Sequence, residues 1–151
     1  MSTASLASAP AADKAAIFAV VENLCLALLH KNVAQFAAQF APNAVLFNLA
    51  PPLMHHGVDK QEKQAWFDSW STHLDLEPRD FKVTVRGDLA FCHGYLRLSG
   101  TKKGPEGTVS FWMRETLCLV RQASGWQIVH EHTSVPFYMD GTLRPAFDLK
   151  P

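Results

Sequence analysis

The chain has 151 residues, 48% apolar and 19% charged, enough to bury a full core and unlike a disordered composition. Fourteen basic residues balance fourteen acidic ones, so nothing marks a nucleic-acid or anionic-membrane surface. No uninterrupted apolar stretch nears 18 residues, so no membrane span is expected. Three separated cysteines, Cys25, Cys92 and Cys118, form no CxxC; they read as free thiols of a cytoplasmic protein.

Residues 1–10 read as a disordered Ala/Ser/Pro tail, with no basic segment of a signal peptide. A helix is expected from about Ala11 to His30, because Ile17, Val20, Val21, Leu24, Cys25 and Leu28 recur at three- and four-residue steps. Asn32 with Gln35 predicts a cap for a second short helix carrying Phe36 and Phe40, ended by Ala41-Pro42-Asn43. Ala44 to Leu49 has strand length. Asp59 with Glu62 opens a third helix to about His73, with Trp66, Phe67, Trp70 and Leu74 inward, and Pro78 closes the helical half.

The second half changes period. Phe81, Val83 and Val85 alternate, Gly87-Asp88 offers a turn, and Leu89 to Ser99 supplies the partner strand. Gly100 to Gly107 reads as a hairpin loop and lacks the ending of a phosphate loop. Thr108–Arg121 and Trp126–Val135 are strands joined by a Ser124-Gly125 turn, and the tail over residues 141–151 is irregular. Helices followed by an antiparallel meander predict one α+β domain over residues 11–140, with the helices on one face of the sheet.

Strict alternation along the last strand puts Trp126, Ile128, His130, His132 and Ser134 on one face, with Glu131 and Thr133 on the other. The preceding strand offers Trp112, Arg114, Thr116 and Cys118 in one parity, and Met113, Glu115, Leu117 and Leu119 in the other. A hairpin can bring Arg114 and Thr116 beside the histidines. Imidazoles work as acid or base near neutrality, making His130 and His132 the catalytic candidates. Arg114 can hold a carboxylate or an enolate, or form a structural ion pair with Glu115 or Glu131. Trp112 offers an apolar wall, and His93, His56 and Ser134 are further contact candidates. The histidines equally fit a role in satisfying hydrogen bonds. His-x-His spacing also sets two imidazoles about 6.5–7 Å apart, but two ligands do not make a site, and no metal is expected.

Phe40-Ala41-Pro42-Asn43-Ala44, His56-Gly57-Val58-Asp59, Trp112-x-Arg114-x-Thr116 and the run Gly125 to Phe137 resemble the nuclear transport factor 2-like superfamily. Within it, the chain is similar to polyketide-cyclase-like (SnoaL-like) and ketosteroid-isomerase-like proteins. The resemblance implies a cone-shaped curved antiparallel sheet with N-terminal helices packed on its concave face. It also implies a pocket for a small-molecule ligand, a homodimer through the sheet and no organic cofactor. Matched to the isomerases, the catalytic Asp position falls at Asn48 and the oxyanion tyrosine near Leu24, which argues against steroid isomerisation and leaves Asn48 to orient a ligand carbonyl. An acid–base isomerase, dehydratase or cyclase acting beside a carbonyl is the first functional expectation. A non-catalytic ligand-binding module and a dimerisation module are the alternatives.

Overall fold

The computed structural model describes residues 11–151, so the tail expected over residues 1–10 lies outside the described residues. Helix α1 (Ala11–Leu29) buries Ile17, Val20, Val21, Leu24, Ala27 and Leu28, the stripe that its apolar spacing dictates. Asn32 caps α2 (Val33–Ala38), its Oδ1 accepting from the Gln35 amide. Phe40 belongs to no helix. It opens β1 (Phe40–Phe47), and Ala41-Pro42-Asn43 fall in an irregular stretch of that strand. His55 and His56 form the short β2, paired with Leu46 and Val45. Asp59 accepts from the Gln61 and Glu62 amides and caps α3 (Lys60–Asp68). That helix ends about a turn sooner than the sequence suggests, leaving Trp70 and Leu74 buried on irregular chain.

The meander forms as expected from β3 (Asp75–Arg86), β4 (Leu89–Thr101), β5 (Thr108–Gln122) and β6 (Gly125–Ser134). Pro78 lies inside β3 rather than closing the helical half. β3 is an edge strand, where a residue without an N–H is tolerated. The six strands lie in the order β2-β1-β6-β5-β4-β3 in a curved, unclosed sheet. β1 runs parallel to β6, so the sheet is mixed and not wholly antiparallel. Its first long strand meets the last one only after the whole meander, and no hairpin forces the pair to be antiparallel.

The core lies between the helices and one face of the sheet. Ile17, Leu24, Phe36, Phe67, Leu117, Leu119 and Ile128 belong to one buried cluster. Beyond Asp140 the chain is irregular but anchored: Ala146 is buried and the Phe147 ring lies 4.4 Å from that of Phe111.

Candidate functional site

A single extra residue decides which side chains enter the interior. Along β5 and β6, Leu119 faces Ile128 while Cys118 faces His130, so Val129 is a bulge with no partner of its own. Trp126 and Ile128 point at the helices, and past the bulge Glu131 does so too. His130, His132 and Ser134 pair with Cys118, Thr116 and Arg114, whose parity is opposite to the buried Phe111, Met113, Glu115, Leu117 and Leu119. The face shared by Trp126, Ile128 and the histidines, expected from strict alternation, is therefore corrected: the histidines stand on the outer face.

That outer face does gather most of the candidates. Arg114 Nε donates to Ser134 Oγ at 2.9 Å, so its partner is neither Glu115 nor Glu131. Thr116 lies between His93 on β4 and His132 on β6. His130 Nδ1 donates to the Val45 carbonyl at 2.8 Å. The Phe47 ring meets both imidazoles edge-on, at 4.9 and 5.3 Å between centroids. Trp112 sits under the guanidinium groups of Arg79 and Arg97. His56 lies two strands away opposite Val45, and Asn48 is exposed just past β1. Leu89, Phe91 and Tyr95 stand exposed in the same parity of β4.

The interior holds a different set. Glu115 is 2% and Glu131 8% exposed, the two buried charged residues among the described residues. Leu117 faces Glu131 and Glu115 faces Thr133, so the carboxyls are diagonal neighbours within reach of one another. Neither Glu115 oxygen meets a hydrogen-bond donor among the described residues. Two carboxylates cannot bond to one another until one carries a proton. Burial, reinforced by the charge of Glu131, holds the Glu115 carboxyl well above the usual carboxylate range. Burial also raises Glu131, against the opposing pull of Glu115, Lys63 and His130. Both carboxyls are therefore held above the usual range, Glu115 the more strongly, and the two titrate as a pair.

Lys63 on α3 lies with Nζ 4.2 Å from the centre of the Phe36 ring and 4.8 Å from that of Trp66. Burial lowers its pKa, while Glu131 and Glu62 oppose that shift. Burial pushes the Cys25 thiol up to about 11 and the Cys92 thiol up to about 12, with Glu115 adding to the latter. Such thiols are poor nucleophiles. Among the described residues no three His, Cys, Asp or Glu side chains are placed to hold a metal. Two buried carboxyls that share one proton set an acid and a base side by side. The sequence does carry the signal for this pair: Glu115 interrupts an apolar parity of Phe111, Met113, Leu117 and Leu119.

A family model described as SnoaL-like domain matches residues 17–138. An NTF2-like protein of unknown function from Pseudomonas putida KT2440 has a solved structure with a TM-score of 0.81 and 27% identity, covering 95% of this chain and 99% of its own. A candidate dehydratase of the NTF2-like family from Streptomyces avermitilis gives 0.73 at 14% identity, covering 83% and 97%. The CaMKII hub of S. rosetta gives 0.68 at 22% identity, covering 83% and 98%. The last two likenesses show the fold alone. No curated protein matches the sequence significantly, and no described helix is long and apolar enough to cross a membrane.

Proposed function

The chain belongs to the SnoaL-like domain family, and on that footing we propose that it is an acid–base catalyst of the cytoplasm acting on a small carbonyl compound, as an isomerase, dehydratase or cyclase. The observation that carries this reading is the buried Glu115–Glu131 pair, with both Glu115 oxygens free of donors among the described residues. A neutral Glu115 donates a hydrogen bond to the substrate carbonyl oxygen. Glu131 removes the proton from the adjacent carbon, and the C–H electron pair moves into an enolate whose oxygen that hydrogen bond stabilises. Return of the same proton to another carbon completes an isomerisation. Its transfer to a departing hydroxyl gives a dehydration, with water released and no net change in the pair. Lys63 favours the ionised form of Glu131.

The test is deuterium exchange from solvent into a panel of cyclic ketones and β-hydroxy ketones, followed by NMR. Glu115→Gln and Glu131→Gln are each expected to slow exchange by about 10²–10⁴-fold, the usual contribution of a positioned acid or base. Variants that both retain full rates would contradict the assignment. His130→Ala and His132→Ala are expected to retain it. Loss in these variants instead would return the chemistry to the histidines, with Arg114, Thr116, Ser134, Trp112, His93, His56 and Asn48 as substrate contacts.

The outer face supports a second role, contact between two copies of the chain in a homodimer. Leu89, Phe91 and Tyr95 leave large apolar surface exposed beside the Arg114, Thr116 and histidine cluster, an arrangement common at interfaces. Sedimentation is expected to show a dimer that Phe91→Lys converts to monomer. A monomeric unmutated chain would exclude this role.

A further inference from the structure

Taking Glu115 and Glu131 as the chemical pair, a reading on which this step rests, we propose that the groove between α1 and β3 is the mouth leading to Glu115, with the Phe81 ring as its gate. The groove has a volume of about 440 Å³, within the range that holds a small ligand. Phe18, Val21 and Cys25 wall it on α1, and Pro78 and Phe81 wall it on β3. It exists because β3 loses register between Arg79 and Lys82, where Asp80 takes a φ of 56°. A bulge of this kind bends an edge strand away from its regular path.

The sheet ties the groove to the buried carboxyl. Phe81 lies against Gly94, where any Cβ would collide with the ring. Gly94 is the direct ladder partner of Glu115, so Phe81 covers the strip of sheet beside that side chain. Cys25 lines the opposite wall of the groove. Phe81 itself is only partly buried, and it adjoins the irregular stretch of β3. A small shift there uncovers the glycine.

The lining also selects the ligand. Glu22 and Asp80 stand in the groove, and the Arg79 guanidinium is stacked on Trp112 and within 4.0 Å of Glu77. The two carboxylates disfavour an anion. The other walls on α1 and β3 are mostly apolar, and on this proposal the Glu115 carboxyl, whose charge burial disfavours, lies beyond Phe81. A neutral ring-bearing ketone or alcohol, entering ring first or carbonyl first, meets both conditions.

The probe is 2-naphthol, a fused ring with one hydroxyl, titrated into the full chain and into Glu22→Trp and Phe81→Ala while amide shifts are followed by NMR. Shifts are expected at Phe18, Cys25, Phe81 and Glu115, and Glu22→Trp is expected to weaken binding by at least about tenfold, or about 1.4 kcal/mol. Phe81→Ala should also speed labelling of Cys25 by methyl methanethiosulfonate, read by peptide mass, without changing Cys118. If that variant fails to fold, Phe81→Leu takes its place. Shifts at Glu115 that ignore Glu22→Trp would place the mouth elsewhere and overturn the proposal while leaving the carboxyl chemistry intact. Shifts confined to the groove, or no binding, would also overturn it. Failure of the carboxyl reading shows separately, as undiminished exchange in Glu115→Gln.

Discussion

Replacing Glu115 by Gln keeps the shape of the side chain, removes its charge and supplies an amide that can donate to Glu131. In the folded chain the Glu115 pKa is raised by burial and by Glu131, whereas in the unfolded chain it lies near about 4.3. Between those two values the folded state holds a proton that the unfolded state has released. Stability is therefore fully present below the unfolded pKa and falls as pH rises through the folded one. At pH 8 the unmutated protein bears the cost of a buried carboxyl with no donor among the described residues, about 1–3 kcal/mol for such a group. Glu115→Gln is expected to recover about that amount, or about 2–12 °C in Tm for a chain of this length. Near pH 4 the carboxyl is largely protonated in the unfolded chain as well, and the gap should narrow. Thermal unfolding followed by circular dichroism at pH 4, 6 and 8 measures both. A variant less stable than the unmutated protein at pH 8, or a gap of constant size at every pH, would refute the reasoning.

Gly94→Ala drives a methyl into the Phe81 ring and should cost about 1–3 kcal/mol, measured by urea unfolding. Adding Phe81→Leu should recover part of that loss, because the two changes share one contact. Gly57 has φ 69° and a Cβ there would sit 2.5 Å from the Pro42 carbonyl oxygen, so Gly57→Ala should destabilise by about 1–3 kcal/mol. Deleting Val129 removes the unpaired residue and leaves every face of β6 unchanged. The variant should fold with a loss of about 0.5–3 kcal/mol, and its His130 and His132 should still react with diethyl pyrocarbonate.

Much of the fold is legible in the sequence, because spacing and caps are local signals. The stripe of α1, the Asn32 and Asp59 caps and the Gly87-Asp88 turn stand where the residues place them. The last hairpin turns one residue earlier, at Ala123-Ser124, with Gly125 already in β6. Pro78 misleads, since whether proline ends an element depends on the edge position of β3, a tertiary fact. The parallel pairing of β1 with β6 is likewise non-local. The site fails at one residue. Nothing in Ile128-Val129-His130 announces a bulge, and without it alternation carries the histidines inward with Trp126 and Ile128. The odd carboxylate among the apolar residues of β5 needed no register to be noticed. Its meaning emerges only when Glu131 is seen to turn inward beside it.

The protonation of the interior pair is best measured by a ¹³C NMR titration of the glutamate carboxyl carbons in the unmutated protein and in Glu115→Gln. One carboxyl should remain protonated at pH 6.5 and be missing from the variant, and a second should titrate above the ordinary range and shift when Glu115 is replaced. Glutamates that all titrate between about 4 and 5 would show an ionised, hydrated pair, and would contradict the acid–base site placed at Glu115 and Glu131.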